Sequence, residues 1–256
     1  FLISDRSMQQ QLQPPRAVGI LGGMGPAAGA DFVRLFVQAC TAHLQQQGLP
    51  VHDQAYPEHW LVQLPMPDRT QALRRDPQSP EGPAAHLLQG AGRLAALGVR
   101  SVALACNTAH AWHGQIQALF PQLRVLHIAQ QTALYLKAGG ARQALVLATD
   151  GTYDSGLYDA ALADCGIAAL RPGQAGRARL MQGIYEGVKQ GDMPLAVQCF
   201  GEALAPLLQR HGAVPVIMGC TEIPLALPQA PQARGAELVD PAWILACALA
   251  QDAYAH

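Results

Sequence analysis

Ala-Leu-Ala-Cys-Asn-Thr-Ala-His at 103–110 and Val-Ile-Met-Gly-Cys-Thr-Glu-Ile at 216–223 decide the reading of this chain. Each is a short apolar run without alternation, which reads as a strand buried on both faces of a parallel sheet. Each run closes on a cysteine followed at once by Asn, Thr or Glu, residue types that open helices. The pattern places two thiols, Cys106 and Cys220, at the carboxyl ends of parallel strands, where α/β proteins hold reactive groups. A helix N-terminus beyond each sulfur favours thiolate over thiol. Two such thiols can face one substrate from opposite sides.

The surroundings repeat as well. An offset of 114 residues carries Leu94 onto Leu208, Gly98 onto Gly212 and Cys106 onto Cys220. Before each cysteine comes helix, then glycine, then strand: 87–97, Gly98 and 99–105 in one copy, 200–211, Gly212 and 213–219 in the other. A duplicated half-site is the natural reading. Buried cysteine is common in cores, so neither thiol argues for function alone. Their equivalent placement does.

A chain of 256 residues can bury a large core as one or two domains. Half of it is hydrophobic, and 17 Lys and Arg nearly balance 18 Asp and Glu, so no basic patch advertises nucleic acid. Apolar runs are broken well short of the ~18 residues of a membrane span. A soluble protein with a small-molecule partner is expected. Cysteines 40, 106, 165, 199, 220 and 247 show no Cys-x-x-Cys and no staple-like spacing, which points to a reducing cytoplasm. Residues 1–15 read as an N-terminal extension, with 1–7 foreign to the natural chain and Met8 a native start.

Strand-like runs recur at 17–22, 60–64, 99–105, 124–129, 143–149, 166–170, 213–219 and 237–240, with helical patterns between most of them. Such alternation predicts an α/β fold of two pseudo-symmetric domains, each a mostly parallel four-stranded sheet flanked by helices. The sets divide at Gly139-Gly140, and each holds its cysteine on the third strand. The first domain is taken as 16–129 plus 241–256 and the second as 130–240, with the active site in the cleft between them. Each opens on a strand running into a small-residue turn, Ala17–Pro26 and Ala144–Thr152, whose backbone N–H groups suit an anion. The glycines of 19–29 miss the frame of a dinucleotide fingerprint, because after Gly23-x-Gly25 the third would fall at Ala28. A carboxylate fits the turn better than a nicotinamide cofactor.

Five motifs, Gly19–Pro26, Pro67-Asp-Arg-Thr70, Cys106–His110, Gly183–Lys189 and Gly219-Cys-Thr-Glu222, occur in an order and spacing that resembles the aspartate/glutamate racemase family, over about 17–254. Within it the likeness is greatest to the cofactor-independent aspartate racemases. The resemblance implies two pseudo-symmetric α/β domains, an inter-domain site, a homodimer and no cofactor. It also implies inversion at an amino-acid Cα by Cys106 and Cys220, one removing the α-proton and the other protonating the opposite face. A single monoprotic base returns the proton to the face it came from, whereas two opposed thiols do not. With an ordinary pKa near ~8.5, a thiol serves as acid or base after a modest shift.

Carried over by motif position, the substrate contacts are Met24, Asp68, Arg69, Thr70, Asn107, Thr108, Ala109, Lys189, Thr221 and Glu222. Asn107, Thr108, Ala109 and Thr221 offer donors to an α-carboxylate that becomes enediolate-like, although capping is the plainer reading of the Asn and Thr residues. Arg69 and Lys189 supply cations for a second carboxylate. Glu222 should oppose a thiolate at Cys220, so contact with the substrate ammonium is its expected role. Asp150 departs from the family pattern, which often has an uncharged hydroxyl there, and if turned into the cleft it would disfavour an acidic substrate. Aspartate is the expected substrate, with glutamate or a broader range as the alternative and a catalytically silent amino-acid sensor as the remote one. Cys106 and His110 make too few ligands for a metal. Cys40, Cys165, Cys199 and Cys247 read as packing.

Overall fold

The computed structural model describes residues 14–255. Among these residues eight strands form where the apolar runs predict them. In the first half β1 (Val18–Gly22), β2 (His59–Gln63), β3 (Ser101–Leu104) and β4 (Arg124–Leu126) make one sheet in the order β2-β1-β3-β4. In the second half β5 (Gln143–Ala148), β6 (Ala168–Leu170), β7 (Val216–Gly219) and β8 (Leu238–Val239) make another in the order β6-β5-β7-β8. Every pairing is parallel, and the two orders are the same once the second set is counted from its own start. The cysteine-bearing strand of each half is therefore an inner strand. It pairs with the strand that opens its half, Leu21 opposite Leu104 and Ala148 opposite Gly219.

Among the described residues ten α-helices connect and cover the strands: α1 (Pro26–Gln46), α2 (Arg69–Arg75), α3 (Pro83–Ala96), α4 (His113–Leu119), α5 (Ile128–Ala138), α6 (Asp150–Asp154), α7 (Leu157–Asp164), α8 (Gln174–Gln182), α9 (Met193–His211) and α10 (Pro241–Tyr254). The repeated glycines have a common cause. Gly98 and Gly212 follow α3 and α9 with φ of +77° and +73°, a backbone that L side chains rarely adopt, and each turns the chain from helix towards the next inner strand. Gly23 is constrained more severely, since a Cβ there would lie 2.1 Å from the carbonyl oxygen of Leu64.

Strand alternation sorts the core into three parts. Leu21, Val102 and Leu104 face α3 in a cluster with Leu87, Ala91 and Leu94. Leu145, Leu147, Val216 and Met218 face α9 in a cluster with Phe200, Ala203 and Leu204. The opposite faces of both sheets, through Val18, Ile20, Ala103, Val146, Ala148 and Ile217, share one cluster with residues of α1, α5, α7 and α10. The two halves are thus joined by a common apolar layer as well as facing each other. Within it α10 packs on α1, α5 and β3, which brings the end of the chain back against the first sheet. The remaining cysteines are free: Cys40 and Cys199 are buried, Cys165 and Cys247 partly so. No described helix is long and apolar enough to cross a membrane.

Candidate active site

β3 and β7 deliver the two thiols to one place. A narrow cleft is lined by Cys106 and Cys220 together with Met24, Asp68, Arg69, Thr70, Asn107, Thr108, Thr149, Tyr185, Lys189, Thr221 and Glu222. Every expected site residue lines it except Ala109, whose methyl group is fully buried in the first-half core beside Leu21 and Met24. Thr149 and Tyr185 are the additions, and both sit in stretches that the sequence had already singled out, the turn after β5 and the segment 183–189.

The segments beyond the thiols differ from expectation. A 3-10 turn at Thr108–Trp112 follows Cys106 and leads directly into α4, whereas after Cys220 a 3-10 turn at Ile223–Leu225 is not continued as an α-helix. Short turns align few peptide dipoles, so helix polarity contributes less at Cys220 than a full helix would. Asn107 and Glu222 occupy the N-cap positions of these turns, yet neither side chain caps. Both stay available to the cleft.

Local charge makes the two thiols unequal. Cys220 Sγ donates to Glu222 Oε2 at 2.9 Å, and Thr221 Oγ1 donates to the same oxygen at 3.0 Å. Burial first, and then the Glu222 carboxylate, push the Cys220 thiol well above its ordinary range. Cys106 instead has Arg69 for a neighbour. Burial opposes the Arg69 charge, but Cys106 and Asp68 beside it hold the guanidinium above its ordinary range. Arg69 donates to the Pro67 carbonyl at 3.1 Å and to the Met24 carbonyl, while its buried Nε has no protein partner. In the glycine-rich turn it is therefore the Met24 carbonyl, more than a nest of amides, that has a defined task.

Two more contacts cross the cleft. Tyr185 Oη donates to Asp68 Oδ2 at 2.6 Å, and Asp68 Oδ1 accepts from the Gln71 amide at 2.8 Å as the cap of α2. Burial works to raise the Asp68 carboxyl, but these donors, with Arg69 and Lys189 nearby, hold it below the usual carboxylate range. The Lys189 ammonium lies 4.5 Å from the centre of the Tyr185 ring, a cation-π distance. A π-helical turn at Gly183–Gly187 places Tyr185 there, a form of backbone that recurs at functional sites. The hydroxyls of Thr108, Thr149 and Thr152 lie 3.0 to 3.1 Å from one another, linking the halves beside the sulfurs.

Asp150 is turned to other work. It pairs with Arg74 and Arg177, each at 3.0 Å, within a network that includes Asp154, and it does not line the cleft. His110 lies among backbone carbonyls, its Nδ1 2.8 Å from that of Cys106 and its Nε2 3.3 Å from that of Leu126. Among the described residues no group of three His, Cys, Asp or Glu is placed to hold a metal ion.

The family model for Asp/Glu/hydantoin racemase matches residues 21–249. The chain is 26% identical over 209 residues to the broad specificity amino-acid racemase RacX of Bacillus subtilis, covering 80% of this chain and 85% of that one. Among solved structures, the aspartate racemase of Picrophilus torridus is similar at 28% identity and a TM-score of 0.72, with 93% of this chain and 94% of that chain covered. A putative Asp/Glu racemase from Yersinia pestis matches at 25% identity and a TM-score of 0.77, covering 94% and 100%.

Proposed function

Because the chain belongs to the Asp/Glu/hydantoin racemase family and is an isomerase of amino acids, we propose that it interconverts L- and D-aspartate by a two-base proton transfer between Cys106 and Cys220. The observation that carries this reading is the meeting of the two thiols in one cleft, each from the inner strand of its own sheet.

The chemistry follows from the charges around each sulfur. Cys106 has the Arg69 guanidinium beside it, whereas Cys220 faces the Glu222 carboxylate, so the direction written here uses Cys106 as the base and Cys220 as the acid. Cys106 takes the α-proton, forming an S–H bond. The released electron pair moves into the α-carboxylate, beside the wall of the cleft formed by Asn107, Thr108 and Thr149. Cys220 then gives its proton to the other face of Cα and is left as thiolate. Reaction in the reverse direction exchanges the two roles.

Specificity for an acidic amino acid rests on two cations and two carboxylates around one small volume. Lys189 and Arg69 complement the substrate carboxylates, and Glu222 complements the ammonium. Likeness to a broad specificity racemase supports a second reading in which aspartate is one of several substrates.

Polarimetry tests it. Optical rotation of L-aspartate should decay to zero with the purified protein and no added cofactor, and a panel of other L-amino acids should decay more slowly or not at all. Constant rotation for the whole panel would refute the reading.

A further inference from the structure

Tyr158, on α7 of the second half, is buried at 2% exposure and touches the neighbours of both thiols. Its hydroxyl donates to Asn107 Oδ1 at 2.5 Å, the residue after Cys106. The edge of its ring lies 3.0 Å from where a Cβ on Gly219 would stand, the residue before Cys220. An amide group has one accepting and one donating end, so holding Oδ1 decides which end faces the substrate. Among the described residues, no acceptor is hydrogen-bonded to Asn107 Nδ2, and Asn107 lines the cleft.

We propose that Tyr158 is a positioning residue that locks the Asn107 amide with its NH2 turned into the cleft, as a fixed donor to the α-carboxylate while charge builds on it. The inference rests on the racemase reading of the cleft and adds to it how one donor is held. Tyr158 suits the task because burial pushes its hydroxyl well above the ordinary phenol range, so it remains a donor throughout the working pH of a thiol pair. Placement also matters. An amide free to flip would present its oxygen to the carboxylate for part of the time, and a donor fixed before the reaction requires no reorganisation during it.

Tyr158→Phe removes one oxygen and keeps the ring against Gly219. Loss of a buried hydrogen bond that orients a donor should lower kcat on L-aspartate about tenfold or more. The decisive arm is a double-mutant cycle with Asn107→Ala. With the amide gone, Tyr158→Phe should cost less than about twofold further. Equal losses in both backgrounds would show that Tyr158 acts by packing alone and would overturn the proposal. Asn107→Asp supplies an independent arm, since it keeps an oxygen for Tyr158 and replaces the cleft-facing NH2 by a second oxygen. KM for L-aspartate should then rise about tenfold or more with the melting temperature retained. An unchanged KM would mean that oxygen already faces the cleft, again overturning the proposal. Absence of turnover in the unsubstituted protein would instead count against the racemase reading itself.

Discussion

Cys220 hands its S–H to Glu222 at 2.9 Å, while Cys106 lies against the guanidinium of Arg69. Pseudo-symmetric strands thus carry thiols in opposite electrostatic settings. The backbone repeats, and the charges do not.

Removing the carboxylate should expose this difference. In Glu222→Gln the Cys220 thiol loses an anionic neighbour, so its thiolate forms at lower pH. The pH midpoint of Cys220 alkylation by iodoacetamide, followed by peptide mass spectrometry, should move down. A midpoint that stays or rises would remove Glu222 from the account of the asymmetry.

Arg69 and Lys189 should differ in what their loss costs. Arg69 is buried and donates to the carbonyls of Pro67 and Met24, so Arg69→Ala leaves the buried Met24 carbonyl unpaired and should lower stability by about 1–3 kcal/mol as well as activity. Lys189 is exposed and rests on Tyr185, so Lys189→Ala should leave the urea midpoint in place. It should lower kcat/KM for aspartate about ten- to a hundredfold, and less for alanine. Equal losses for both amino acids would separate Lys189 from the side-chain carboxylate.

Asp150 should prove indifferent to substrate choice. Its partners Arg74 and Arg177 are solvent-accessible, and exposed pairs contribute about 1 kcal/mol or less. Asp150→Ser should change the ratio of kcat/KM for aspartate over glutamate by less than about threefold. A tenfold change would place the carboxylate in the cleft after all.

Acid should weaken the fold through histidines beneath Cys106. Burial, with His127 and His113 adjacent, pushes His110 down to about 3, and burial with His113 adjacent pushes His127 to about 4, both from 6.5. The unfolded chain therefore takes up protons first. This stability is fully present above about pH 6.5 and is lost as pH falls towards those values. His110 alone implies a slope of about 1.4 kcal/mol per pH unit across that window. Urea unfolding at pH 7, 6 and 5 should show the loss, and His127→Asn should reduce it. Stability that rises towards pH 5 by the amount His127→Asn abolishes would reverse the sign of the argument.

The sequence read the strands well because buried parallel strands are continuous apolar runs, and the glycines at 98 and 212 marked where each helix gives way. The site was legible for a related reason, since residues beside a strand end in sequence stay beside it in space, as with Asn107 and Thr221. What escaped depends on contacts between distant elements. Nothing local says that Val18 and Ile217 share one apolar layer, that Asp150 turns to Arg74, or that Tyr158 reaches Asn107. Tyr185 and Thr149 lay in plain view within quoted stretches, but their chemistry appears only when Asp68 and Thr108 are brought opposite. After Cys106 the helix opens as a 3-10 turn at 108–112 and becomes α-helical only at α4, whereas after Cys220 the chain makes only short 3-10 turns, in a stretch broken by Pro224, Pro228 and Pro231.

The central claim is that two thiols act from opposite faces of one carbon. Its most direct measurement is deuterium incorporation at Cα of L- and of D-aspartate in D2O, by NMR, with the unsubstituted protein and with Cys106→Ala and Cys220→Ala. The account predicts that the unsubstituted protein labels and inverts both enantiomers, and that each variant loses inversion by several orders of magnitude while retaining at most exchange of one enantiomer, opposite in the two variants. Inversion at an undiminished rate in either variant would contradict it.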